Sequence, residues 1–129
     1  MADVNRGKRP LSPFMLGTYY RLQVNSVTSL LTRITGNALL VGALLVVWWL
    51  LAASTGPEYF AIADAVVTSW IGKLIMLGSL WALWFHTLTG LRHLIWDQGH
   101  WLTIEASDRL SWIAIIGSVV LTIITVMVV

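Results

Sequence analysis

The residues best suited to chemistry lie near the end of a long apolar stretch. His86 and His93 are seven positions apart, with Gly90 and Arg92 between them. On an α-helix this spacing places two side chains about two turns apart on nearly the same face. Imidazole is a common metal ligand, and a glycine lets a bound group approach the helix closely. The spacing therefore predicts a helix face that can hold a planar metal macrocycle.

A second polar group lies at the beginning of an earlier apolar stretch. Ser29, Thr32, Arg33 and Gly36 follow the i, i+3, i+4, i+7 spacing of one helix face. We expect the Arg33 guanidinium to face a bound anion or a polar headgroup, because a charge that faces lipid is costly. This face is expected at a similar depth in the membrane to His86 and His93, which suggests that the two polar groups form a single site.

Each of these residues also has a structural interpretation. A histidine in a membrane helix often hydrogen-bonds a neighbouring helix instead of binding a ligand. Arg33 alone can extend its charged head to the membrane interface, and Ser29 and Gly36 can serve as small packing residues. His100 lies in a short connection, where we expect it to be solvated.

Composition places the chain among integral membrane proteins. Hydrophobic residues make up 57% of the chain and charged residues 11%, which is too apolar for an ordinary soluble domain. Three stretches approach or exceed the roughly 20 residues that cross a bilayer as a helix. We predict an all-α integral membrane fold with one membrane-anchor domain over residues 1–129. Its transmembrane helices are predicted at 29–54, 66–96 and 108–129, after a cytoplasmic or interfacial segment over 1–28.

Turn residues and basic residues predict the topology. Residues 54–57 and 97–100 are expected to end the first two transmembrane helices, and Ser107 or Asp108 to cap the third. Basic residues are concentrated before the first span, whereas the 54–65 connection has none. Because basic loops stay on the cytoplasmic side, the N-terminus is predicted to be cytoplasmic and the C-terminus periplasmic.

The residues that are missing exclude several kinds of chemistry for this chain. It has no cysteine, so disulfides, thiolate ligation of iron–sulfur clusters and thiol catalysis are excluded. It also has no glycine-rich dinucleotide motif and no catalytic pair of carboxylates. A lipid membrane and other protein subunits are the expected partners, and no nucleic acid is expected.

Three segments together carry a family resemblance. They are the Arg-Pro-Leu-Ser-Pro opening at 9–13, the Ser29 to Gly36 segment, and the histidine segment at 86–97. In this order, with three spans of suitable length, they resemble the cytochrome b subunit of succinate dehydrogenase (complex II). That family usually has histidine where this chain has Thr32 and Phe14.

The resemblance implies a membrane anchor subunit of a succinate:ubiquinone oxidoreductase that does not oxidise succinate itself. Such a subunit pairs with a second small membrane anchor subunit and works with an iron–sulfur subunit and a flavoprotein subunit. The two anchor subunits share haem b, and the family's axial ligand to the haem iron corresponds to His86. Arg33, His93 and Thr32 would lie at the haem, while Ser29 and Arg33 would form part of the ubiquinone site.

Other functions remain open at this stage. The chain could anchor a fumarate reductase, because sequence does not set the direction of the reaction. It could also be a haem-free structural membrane anchor, or a small transporter subunit with a proton path through Arg33 and His86. A bacterial inner membrane is the expected location, and whole complexes could associate further.

Overall fold

The computed structural model describes residues 22–129, which form an α-helical bundle. The four helices are α1 (Val24–Thr55), α2 (Pro57–Thr68), α3 (Trp70–Asp97) and α4 (Ile104–Val128). Three of them, α1, α3 and α4, are long and apolar enough to cross a membrane. There is no strand in this part of the chain. The all-α membrane fold and its three spans are therefore confirmed.

The segment before α3 differs from the predicted connection because it is mostly helical. Gly56, with φ of 157°, separates α1 from α2, and Pro57 occupies the first turn of α2, where its missing N–H costs no hydrogen bond. Ser69 then separates α2 from α3, and its hydroxyl accepts a hydrogen bond from the Gly72 N–H. The predicted second span of 66–96 is thus two helices, and its membrane-crossing part begins at Trp70.

The other helix boundaries also differ from the prediction. Helix α1 begins at Val24 and has 32 residues, or about 48 Å of helix, which is longer than a bilayer core requires. Helix α4 is capped by Thr103, whose hydroxyl accepts from the Ala106 N–H. Ser107 and Asp108 are not the cap, because their side chains interact with Asn25 on α1.

Small and polar side chains fill the contact between the three long helices. Thr28, Thr35 and Gly42 are buried at seven-residue intervals on α1, the spacing of a left-handed helix contact. On α3 and α4 the buried residues also recur at three- and four-residue steps: Ala82, Phe85, Thr89, Arg92, Ser111, Ala114, Ser118 and Thr122. Small residues let membrane helices approach closely, while most of the larger apolar side chains, Phe85 excepted, remain on the outer surface.

The beginning of α1, the end of α3 and the beginning of α4 meet at one end of the bundle, which we call the arginine end. Arg92 is buried there between the three helices. The opposite end contains α2. The opening motif at 9–13, Phe14 and most of the predicted segment over 1–28 lie outside the described residues.

Candidate functional site

His86 is half-buried on α3 and its imidazole points toward α1. Its Nδ1 lies 3.1 Å from the carbonyl oxygen of Thr32 and 3.5 Å from the hydroxyl oxygen of Thr35. A carbonyl oxygen can only accept a hydrogen bond, so Nδ1 carries the proton and donates it. In that tautomer Nε2 has a free lone pair. Histidine ligands of metals commonly have this arrangement, with one nitrogen held by a backbone carbonyl.

Gly36 borders the His86 imidazole, and Gly90 opens the surface of α3 one turn further along. A Cβ atom at Gly36 would lie 3.1 Å from Cε1 of His86, so the absence of a side chain lets the ring rest against α1. Gly90, one turn after His86, faces open space, since an added Cβ there would have no neighbour within 4 Å among residues 22–129. The predicted opening at Gly90 is therefore present on α3, one turn from His86.

The position of α4 shows on which side of α3 the His86 site opens. Trp84 donates a hydrogen bond to the Thr125 hydroxyl at 3.0 Å, and Leu88 would contact a Cβ added at Gly117. Trp84 and Leu88 are each two positions from His86, or about 200° around the helix. His86 therefore lies on the side of α3 away from α4, in the groove between α3 and α1.

This groove continues away from the arginine end as an apolar cleft. Its volume is about 410 Å³, and α1 and α3 both contribute to its walls. Ser79 lines the cleft and precedes His86 by seven residues, so the two lie on nearly the same face of α3. The lining side chains are almost all apolar: Leu39, Gly42, Ala43, Val46, Met76, Ser79, Leu80 and Leu83.

His93 lies on the same side of α3, at the arginine end. Its Nδ1 is 2.7 Å from the Thr89 carbonyl oxygen, so this nitrogen also donates and leaves Nε2 free. The ring packs edge-on against Trp96 with 5.3 Å between the ring centroids. His93 is exposed, whereas His86 is half-buried. His93 is therefore better placed to contact a polar group at the membrane surface.

The structure brings the predicted α1 residues close to His86 in different ways. Thr32 contacts His86 through its backbone carbonyl, whereas its hydroxyl donates to the Thr28 carbonyl at 2.7 Å. The Thr32 side chain, predicted to lie at the cofactor, is thus engaged within α1. Ser29 is half-buried and Arg33 is exposed, one turn apart on the helix. Neither hydrogen-bonds His86 within the described part of the chain.

Arg92 is the important residue that sequence reasoning missed, because it was treated only as a charge between two histidines. Its side chain is 3% exposed. Its Nη1 atom lies 2.6 Å from the Ser111 hydroxyl oxygen and 3.1 Å from the Thr28 hydroxyl oxygen. The guanidinium also stacks over Trp96, 4.5 Å from the ring centroid. Arg92 shares one face of α3 with Phe85 and Thr89, which are also buried, but only the structure shows that this face is the interior one.

The donor set limits the metal chemistry of this part of the chain. Residues 22–129 contain no cluster of three or more histidine, cysteine, aspartate or glutamate side chains that could hold a metal ion. His86 by itself can supply one nitrogen ligand. A metal bound at His86 would therefore take its further ligands from outside residues 22–129, for example from a macrocycle.

Comparison with known proteins identifies the family. Residues 5–125 match the family described as succinate dehydrogenase/fumarate reductase transmembrane subunit. A succinate dehydrogenase cytochrome b556 subunit from Paracoccus denitrificans is 55% identical over 128 residues, which are 99% of this chain and 97% of that protein.

More distant relatives carry similar names. The cytochrome b556 subunit of Rickettsia conorii is 34% identical over 116 residues, covering 90% of this chain and 89% of that protein. The mitochondrial cytochrome b560 subunit of Sus scrofa is 35% identical over 100 residues, covering 74% of this chain and 57% of that protein. On the strength of these matches and its three long apolar helices, the chain belongs to the succinate dehydrogenase/fumarate reductase transmembrane subunit family.

Proposed function

We propose that this chain binds haem b through His86 and forms part of the ubiquinone site of a succinate dehydrogenase complex. The observation that carries the proposal is the His86 geometry. Its Nδ1–H is held by the Thr32 carbonyl, its Nε2 is free, and Gly90 leaves the surface of α3 open one turn further along. The cytochrome b556 name of the 55% identical relative supports the same cofactor.

The residues around His86 fit the two halves of a haem. The apolar cleft lined by Ser79 and Leu83 suits the hydrocarbon edge of the macrocycle. At the arginine end, the exposed Arg33 and His93 are suited to its propionates. When bound between two imidazoles, haem b supplies one-electron transfer. The second imidazole would come from the second small membrane anchor subunit, because His93 lies two turns away from His86.

Ser29 and Arg33 are proposed to bind ubiquinone. The Arg33 guanidinium would donate a hydrogen bond to a quinone carbonyl oxygen and stabilise the negative charge that develops during reduction. The Ser29 hydroxyl would donate to the same end of the quinone and pass on a proton. Both residues lie in the first turns of α1, next to the turn that contacts His86. A quinone there would be close to the surface on which an electron donor can dock.

This placement implies an orientation and a set of partners. The basic residues near α1 favour a cytoplasmic arginine end and a C-terminus on the periplasmic side of a bacterial inner membrane. Electrons would then arrive from an iron–sulfur subunit, which receives them from a flavoprotein subunit. This chain would anchor both to the membrane.

The first test is the absorption spectrum of the purified complex, with the haem quantified as its pyridine haemochrome. About one b haem per complex, reducible by succinate, is expected for a shared cofactor. His86→Ala should abolish the haem signal, because it removes the only proposed ligand from this chain. His100→Ala, which changes an exposed loop histidine, is the matched control and should keep the haem. A normal spectrum in the His86→Ala complex would refute the ligand assignment.

The quinone site is tested separately with Arg33→Leu. Ubiquinone reduction should fall by about a hundredfold, the lower end of the usual cost of removing a group that stabilises developing charge. Succinate oxidation with an artificial dye as acceptor should persist. An equal loss of both activities would show that Arg33 serves assembly rather than quinone chemistry.

A further inference from the structure

The proposed function leaves Arg92 without a role, although it is the most deeply buried charged residue in residues 22–129. We propose that Arg92 is a positioning residue that fixes the His86 imidazole by holding the first turns of α1 against α3. The inference rests on the proposed role of His86 as a haem ligand.

The surroundings of Arg92 make a purely stabilising role a poor explanation. Within residues 22–129 its Nε has no hydrogen-bond partner, and both acceptors of Nη1 are neutral hydroxyls. The nearest linked carboxylate is Asp108, reached only through Ser111 and Asn25. A buried charge without a direct counter-ion is a weak source of stability. Arg92 instead serves to set the positions of the three helices relative to one another.

Arg92 is well shaped for that purpose. The central carbon of its guanidinium lies over the Trp96 ring, a contact that restrains the position of the donors. From that position one nitrogen reaches α1 through Thr28 and α4 through Ser111. These two hydroxyls are themselves 3.3 Å apart. A lysine has the same charge but lacks the rigid fork and the flat stacking surface.

A continuous path of contacts connects Arg92 with His86. Arg92 holds the Thr28 hydroxyl on α1. The Thr28 carbonyl accepts from the Thr32 hydroxyl, one turn later, at 2.7 Å. The Thr32 carbonyl in turn accepts from Nδ1 of His86. The orientation of the imidazole therefore depends on the position of the α1 turn between Thr28 and Thr32, which Arg92 sets relative to α3.

The test compares Arg92→Gln with Arg109→Gln in the assembled complex. Arg109 is exposed on α4, so its variant controls for the loss of one positive charge. In Arg92→Gln the low-spin haem signal in electron paramagnetic resonance should shift or broaden. Haem should also pass to an apoprotein acceptor about tenfold faster, the scale typical of lost support for a metal ligand. Arg92→Lys should restore neither property fully.

A second pair of variants removes one contact without removing a charge. Thr28→Val deletes the hydroxyl that Arg92 contacts, while Thr122→Val makes the same change at a buried position on α4. Only Thr28→Val should move the haem signal, in the direction seen with Arg92→Gln. If the Arg92→Gln complex does not assemble, the comparison of Thr28→Val with Thr122→Val still tests the positioning role of Arg92.

The outcomes separate the two proposals. Absence of haem from the unaltered complex would refute the proposed function itself. A haem-containing complex whose resonance signal and haem transfer rate do not change in Arg92→Gln would overturn only the positioning role. An unchanged haem resonance signal in Thr28→Val would likewise overturn only the positioning role.

Discussion

The two ends of the bundle are held together in different ways. At the arginine end, Asn25 on α1 bonds to Asp108, Ser107 and Ser111 on α4, and Arg92 ties α3 to both helices. At the opposite end, two tryptophans of α1 donate to α2, Trp48 to Tyr59 and Trp49 to Asp64. A large apolar groove of about 690 Å³ lies between α1, α2 and α3 at that end.

The difference shows where the molecule requires a defined geometry. Hydrogen bonds between membrane helices contribute little stability each, and a buried charge is costly. A connected set of polar contacts is therefore better explained by precise positioning than by strength. It lies at the end where Ser29, Arg33, His86 and His93 are found, whereas the opposite end is mainly packed by apolar surfaces.

The largest expected effect on stability comes from packing at the opposite end. A Cβ atom at Gly72 would overlap the carbonyl oxygens of Val66 and Val67. Gly72→Ala should therefore force α2 and α3 apart and destabilise the complex by about 3 kcal/mol, measured by thermal unfolding. Gly78→Ala, where the site is open, is the control. Because Gly72 lies far from His86, haem content should not change. Selective loss of haem would contradict the conclusion that the two ends of the bundle are held together in different ways.

An intermediate effect is expected at the arginine end. Asn25→Ala removes the bonds to Asp108, Ser107 and Ser111. At roughly 0.6 kcal/mol for each hydrogen bond between membrane helices, the loss should be about 2 kcal/mol. Unlike Gly72→Ala, this variant should also lower quinone reduction relative to dye reduction, because α1 carries the residues proposed to bind quinone.

The control for Asn25→Ala is Asn37→Ala, which removes an exposed asparagine whose bond stays within α1. Its melting temperature should match that of the unaltered complex. If Asn25→Ala and Asn37→Ala have the same effect, the polar contacts at the arginine end do not tie the helices together.

The smallest effect is expected from Tyr59→Phe. The lost bond is an exposed contact of 2.8 Å with Trp48, and exposed substitutions usually change stability by less than about 0.5 kcal/mol. Thermal unfolding should barely change, and haem content should be normal. A loss comparable with that of Asn25→Ala would mean that the two ends depend on polar contacts to the same degree.

The sequence predicted the three spans because hydrophobic length is a property of the chain alone. It did not predict that residues 57–68 form a separate helix, since Glu58 and Asp64 suggested a polar connection. The cap of α4 was also misplaced, because Ser107 and Asp108 have the right residue types for a cap. Their side chains are used by Asn25, an interaction between helices that no local pattern reveals.

The candidate site was only partly predictable for the same reason. Helical spacing placed His86 and His93 on one face and identified Gly90 as open. It could not reveal that Gly36 contacts His86 or that Nδ1 is held by the Thr32 carbonyl, because both depend on the register between α1 and α3. The role of Arg92 was hidden because burial on α3 depends on which side α4 covers.

The identity of the acceptor for Nδ1 of His86 has a consequence for variation of the chain. Every residue has a backbone carbonyl, so the tautomer of His86 does not depend on which side chain occupies position 32. A change of side chain at position 32 therefore leaves unchanged the lone pair that Nε2 offers. The Thr32 hydroxyl bears on the position of the α1 turn, whereas the protonation pattern of the proposed ligand is set by the backbone alone.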